Sequence, residues 1–226
     1  MRRSIFTPLR ARLRGRGRRR KAVGLFHGLA LSHRTAHAGF MHDEDTPLND
    51  RDHLPRLGAG AYRGRAIVHW TLTAETRGTG WLDDAFHVRF RWLLLHGCAR
   101  YEVACPVYCL MPDHAHLLVV GWSQAADQRL FMPWLRKQTN LMLKEREHAW
   151  QKQAHDHVLR PQEADRYAFL SLVKYLTENP VRAGLVKTAP DWRYTGSVVP
   201  GYPELEFWAA DYWERYERIV AARAGR

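Results

Sequence analysis

Two histidines stand one residue apart in Met111-Pro112-Asp113-His114-Ala115-His116-Leu117-Leu118-Val119-Val120, directly ahead of an apolar run. In an extended strand, residues i and i+2 face the same way, about 7 Å apart along the backbone. His114 and His116 can therefore aim both imidazoles at one point. Such a pair holds a divalent metal once a third ligand joins it. Tyr175 and Asn179 are spaced i, i+4 in a helical stretch, which puts them on one face, one turn apart. Asn179 falls where that helix ends before Pro180, so its amide oxygen is free to reach outward. A tyrosine hydroxyl attacks phosphorus when the phosphate charge is neutralised, and a metal that polarises a phosphoryl oxygen does this. Two imidazoles and an amide oxygen leave positions open for phosphate and water. Mg²⁺ or Mn²⁺ suits that chemistry, with hard Mg²⁺ the less fond of imidazole.

The elements that must position these groups follow from local patterning. Ala66 to Thr73 is β-branched and aromatic and predicts a strand. Leu82-Asp83-Asp84 supplies a helix cap, and Ala85 to His96 has helical spacing. Tyr101 to Leu110 and His114 to Val120 predict two strands of a hairpin around Met111-Pro112-Asp113. A long helix is expected over about Asp127 to Ala154, a short edge strand at His157-Val158-Leu159, and a helix from Asp165 to Glu178. Gly184 marks a turn, Gly196 to Pro203 reads as loop, and Leu205 to Ala222 as a terminal aromatic-rich helix. The order β-α-β-β-α-β-α predicts an α+β fold: an antiparallel sheet with helices packed on one face, the other face free for a substrate.

Charge is placed unevenly. Residues 1–42 hold eleven Lys or Arg and no Asp or Glu, whereas the rest of the chain holds 24 basic residues against 23 acidic ones. A basic block of this kind reads as a solvated arm able to bind phosphates, and it also fits a transit peptide or a segment with no role. The expected division is a flexible arm and linker over 1–62, a catalytic domain over 63–200 and a helical extension over 201–226. No stretch of about 18 apolar residues occurs, so no membrane span is expected. Cys98, Cys105 and Cys109 are odd in number and form no CxxC, which points to core packing and a reducing cytoplasm. Cys105 and Cys109, four apart in a strand, are expected on one face. Arg136, Lys137, Lys144 and Arg146 on the long helix, with Arg160 and Arg182, are candidate nucleic-acid contacts or simply a solvated face.

Taken singly, each signal has a plainer reading. Tyr175 is an ordinary amphipathic-helix residue, Asn179 a helix cap, and His155 and His157 are edge-strand residues. Taken in order they resemble a known family. His114-Ala115-His116 resembles the His-hydrophobic-His motif of the HUH single-strand nucleases. Tyr175 followed by Asn179-Pro180-Val181-Arg182-Ala183-Gly184-Leu185-Val186 is similar to the catalytic-helix signature of the REP-associated tyrosine transposases, which use a single tyrosine. Trp150, Asp156-His157-Val158-Leu159-Arg160 and Tyr194-Thr195-Gly196-Ser197 add to the match, which spans about residues 65–200.

The resemblance implies a ferredoxin-like HUH core in which His114, His116 and Asn179 bind Mg²⁺ or Mn²⁺. Tyr175 would attack single-stranded DNA beside a palindromic hairpin, giving a 5′-phosphotyrosine link and a free 3′-OH that later reseals. The partner would be hairpin DNA, the location the cytoplasm at the nucleoid, and a homodimer is compatible with strand exchange. Three other functions remain open on the sequence: a domesticated, non-cleaving DNA-binding protein of the same fold, a metal hydrolase using activated water, and an RNA-binding module built on the basic arm.

Overall fold

The computed structural model describes residues 56–160 and 165–224. Most of the expected basic arm lies outside the described residues. The elements run β1 (Ile67–Thr73), α1 (Asp84–Arg100), β2 (Val103–Leu110), β3 (His114–Gly121), α2 (Gln128–Lys144), β4 (His155–Val158), α3 (Arg166–Thr177), α4 (Asn179–Arg182), β5 (Thr195–Val198) and α5 (Tyr212–Ala224). The five strands form one antiparallel sheet in the order β4-β1-β3-β2-β5. The first four strands thus have the ferredoxin-like arrangement expected from β-α-β-β-α-β. The α+β antiparallel architecture is the one the patterning predicts.

Period-two alternation divides the strands between two layers. Val68, Trp70 and Leu72 of β1 and Ala115, Leu117 and Val119 of β3 are buried with Phe86, Phe90 and Leu94 of α1 and Phe131 and Leu135 of α2. These two helices make the expected helical layer. The opposite face carries helices as well: Leu118 and Val120 of β3 and Val107 of β2 pack with Phe169, Val173 and Leu176 of α3 and Tyr212, Tyr216 and Ile219 of α5. That second layer uses the Leu118 and Val120 end of β3. Beyond it, the same face of the sheet presents His114 and His116. Helix α5 thereby belongs to the packed body, anchored by the Tyr212 hydroxyl donating to the Pro106 carbonyl at 3.1 Å.

Caps set the helix starts. The Phe86 amide donates to the Asp83 carboxylate at 2.6 Å, and the Ala168 amide to Asp165 at 2.9 Å. Helix α2 stops ten residues before the expected Ala154. Glu147 adopts a left-handed φ of 61°, and the His148 amide turns back to the Leu143 carbonyl at 2.9 Å. The chain then drops Trp150 into the core, its indole N–H donating to Thr139 at 2.8 Å. Apolar residues past Lys144 are thus core contacts made by a loop.

Three further expectations change. Thr195–Val198 is a strand rather than the start of a loop, because it pairs with β2. Gly196 permits that approach: a Cβ there would stand 2.4 Å from Glu204 and 2.6 Å from Arg91. Cys105 and Cys109 lie on opposite faces, because β2 shifts register between Ala104 and Val107, at Pro106, which has no N–H for the ladder. All three cysteines are free and buried, as expected. Finally, the body begins before residue 63: Tyr62 is fully buried, its hydroxyl donating to Asp156, and Arg56 lies over the Trp70 ring.

Candidate active site

The β1–β3 register carries the site. Thr71 pairs with His116 and Thr73 with His114, and on the other side of β1 Thr71 pairs with His155 and His69 with His157. Alternation puts all five histidines and Thr71 on the sheet face opposite Trp70 and Leu72. His114 Nε2 and His116 Nε2 stand 3.0 Å apart. Each ring is held from behind through its other nitrogen. His114 Nδ1 is 2.6 Å from Asp113 Oδ1, and Asp113 is in turn paired with Arg77 at 3.1 Å. His116 Nδ1 is 3.1 Å from His69 Nε2 and 3.2 Å from the Thr71 hydroxyl.

Electrostatics keep His116 in a ligating form. Burial, then the charges of His69, His114 and Arg182, hold His116 well below the usual imidazole range, so it stays neutral. Burial pushes the Asp113 carboxyl up, but the hydrogen bond and charge of His114, with Arg77 behind it, outweigh this and leave it lowered and anionic. A carboxylate behind one imidazole and a hydroxyl and imidazole behind the other fix which nitrogen faces the site.

This arrangement fits a divalent metal at the histidine pair. Two nitrogens each about 2.1 Å from one ion and at right angles to each other are about 3.0 Å apart. Among the described residues no three His, Cys, Asp or Glu side chains converge on a point, so the third protein donor must be of another type. Asn179 is the candidate, and its amide is engaged elsewhere. Its Oδ1 accepts from Arg182 Nη2 at 2.7 Å, and its Nδ2 donates to the Leu176 carbonyl at 3.1 Å. Asn179 opens α4, one short helical turn beyond α3 across Pro180, and the chain leaves that turn through Gly184 at φ 69°. Tyr175 is 46% exposed, with the Arg182 guanidinium 4.4 Å above its ring. The same guanidinium is the charge felt by His116 and by Cys109, whose thiol burial pushes up to about 11 against the lowering effects of Thr195 and Arg182.

The histidines and α3 lie on the same side of the sheet, with Arg182 touching Tyr175 and Asn179 and its charge acting on His116. The comparisons with known proteins bear on this geometry. Over 142 residues the chain is 25% identical to a Haemophilus influenzae protein named "Putative REP-associated tyrosine transposase"; the match covers 57% of this chain and 78% of that one. In sequence the chain is thus similar to a protein named for the REP-associated tyrosine transposases. The structure of a REP-associated tyrosine transposase bound to a REP hairpin has the same fold, with a TM-score of 0.53 and 18% identity, over 63% of this chain and 81% of that chain. No family model matches the chain.

The expected cations divide between the two sides of the sheet. Arg136, Lys137, Lys144 and Arg146 belong to α2 or its end, in the layer behind the histidine face. Arg136 is half-buried and donates to the Gln151 carbonyl, and burial lowers its pKa. Arg146 pairs with Asp83 at 3.1 Å and covers the Phe86 ring. Lys137 and Lys144 are exposed. Arg160 is exposed just after β4 and Leu159, whose side chain belongs to the α3 layer. Arg182 is within the site. Sequence reasoning passed over His69, Thr71, Asp113 and Arg77. For His69 and Thr71 a signal existed, since their i, i+2 spacing in β1 repeats that of His114 and His116.

Proposed function

We propose that the chain is a metal-dependent transposase and nickase for single-stranded DNA beside hairpins, with Tyr175 as nucleophile. The observation that supports this most is the 3.0 Å approach of two buttressed histidine Nε2 atoms on the sheet face against which α3 packs. His114 and His116 would hold Mg²⁺ or Mn²⁺, with Asn179 as third donor once its oxygen is released. The bound metal supplies charge neutralisation at a phosphoryl oxygen. Tyr175 Oη forms a bond to phosphorus at the 5′ side of the break. The P–O3′ bond breaks, its electron pair leaves with the 3′ oxygen, and the tyrosine proton passes to water at the half-exposed ring. The 3′-OH can later reverse the step, so bond energy is conserved and no nucleotide triphosphate is consumed. Arg182 is the expected phosphate contact on this side. Among the described residues no helix is long and apolar enough to cross a membrane.

A second reading is a non-cleaving DNA-binding relative, favoured by the engagement of the Asn179 oxygen with Arg182. One experiment separates the two. Purified protein is mixed with labelled single-stranded hairpin DNA from the flanks of its gene and Mg²⁺ or Mn²⁺, then run on a denaturing gel beside Tyr175→Phe. A covalent protein–DNA band that needs both metal and Tyr175 supports the transposase. Cleavage that survives in Tyr175→Phe means activated water, and binding with neither band nor cleavage means the silent relative.

A further inference from the structure

Arg182 contacts both Tyr175 and Asn179. Its Nη2 donates to both Asn179 Oδ1 at 2.7 Å and the Tyr175 carbonyl at 2.8 Å. Its guanidinium Cζ stands 4.4 Å from the centroid of the Tyr175 ring. Its Nη1 reaches Glu178 at a loose 4.0 Å, and the side chain is 44% exposed. Thus the nucleophile and the candidate third metal donor share one cation.

We propose that Arg182 is a clamp for the scissile phosphate, stored on Asn179 and Tyr175 until DNA arrives, and that in storage it opposes metal binding. The inference rests on the metal-dependent reading above. A guanidinium bound to Asn179 Oδ1 places a positive charge where a divalent cation must come, and the two repel. The same charge already acts on His116. A phosphodiester changes the balance. It offers two anionic oxygens to the guanidinium fork, a stronger partner than a neutral amide and a carbonyl. Moving to the phosphate frees the Asn179 oxygen beside the histidine pair and leaves Arg182 next to the Tyr175 ring, where the attacked phosphorus must lie. Metal and DNA then bind with positive coupling, and by linkage each raises the affinity of the other by one factor.

The test measures Mn²⁺ binding by the loss of the free-ion EPR signal, with and without an uncut single-stranded hairpin oligonucleotide. All proteins carry Tyr175→Phe to prevent turnover. Without DNA, adding Arg182→Gln should tighten Mn²⁺ binding on the order of tenfold, the scale of one lost charge-assisted contact. The DNA-induced gain in Mn²⁺ affinity should shrink by a similar factor. Arg182→Lys keeps the charge without the fork, so it should leave DNA-free Mn²⁺ binding weak. Unchanged or weaker Mn²⁺ binding by a folded Arg182→Gln protein, with His114 and His116 still required, overturns the clamp alone. If His114→Ala/His116→Ala binds Mn²⁺ as well as its parent, the metal reading fails and the clamp with it.

Discussion

Replacing His87 by Gln should remove much of the acid sensitivity of the fold. Burial first, then the charge of Arg91, lowers the pKa of His87 from 6.5 to about 4; Glu204 and Asp84 pull it up and Arg193 pushes it down, each with less effect. Hydrogen bonding says why the ring is neutral. Arg91 donates to the Tyr108 hydroxyl at 2.7 Å, and that hydroxyl, its pKa raised by burial, has its hydrogen to give to His87 Nε2 at 2.8 Å. A second proton on the imidazole would oppose the Tyr108 hydrogen and face Arg91. Between pH 6.5 and 4 the unfolded chain binds a proton here that the folded chain does not. Stability from this group is therefore complete above pH 6.5 and is lost as pH falls toward 4. The full shift corresponds to about 3 kcal/mol, and solvent screening of a partly exposed ring reduces it to about 2 kcal/mol. Gln can accept the Tyr108 hydrogen without titrating. Urea unfolding at pH 7.5, 6.5, 5.5 and 4.5, with chelator present, should show the parent losing about 2 kcal/mol more than His87→Gln across that range. Both proteins keep the histidines of the candidate site, so these contribute equally. Equal losses in the two proteins would refute the assignment.

Two other outcomes test the site from behind and from the side. His69→Leu should weaken Mn²⁺ binding about 10- to 100-fold by removing a partner of His116 Nδ1. His69→Gln, which can still hydrogen-bond, should recover part of it in an isothermal titration; no loss in His69→Leu would remove His69 from the site. Charge reversal behind the sheet, Lys137→Glu with Lys144→Glu, should leave hairpin affinity unchanged. Arg182→Gln should lower hairpin affinity and flatten its dependence on salt by about one phosphate contact, and the opposite pattern in a filter-binding series would place the DNA on the α2 side.

Short-range pattern was enough for much of this molecule. The i, i+2 spacing of His114 and His116 in an apolar strand placed both rings on one face, whereas Tyr175 and Asn179, read from their i, i+4 spacing as one helix face, fall in the successive helices α3 and α4. Asp83 and Asp165 announced their helices because a cap is made by residues two or three apart. What depends on distant partners was not legible. The end of α2 is set by where Trp150 finds its cavity, the strand at Thr195 by the presence of β2, and the faces of Cys105 and Cys109 by a register shift at Pro106. Donor types, the order of the first four strands and first three helices, and the likeness to tyrosine transposases were readable along the chain. Tertiary structure alone decided that His69 and Thr71 stand behind His116, that the α2 cations lie behind the sheet, and that Arg182 holds the Asn179 oxygen. Each of these is a contact between elements, fixed by strand register and layer packing, for which neighbouring residues carry no periodic signal.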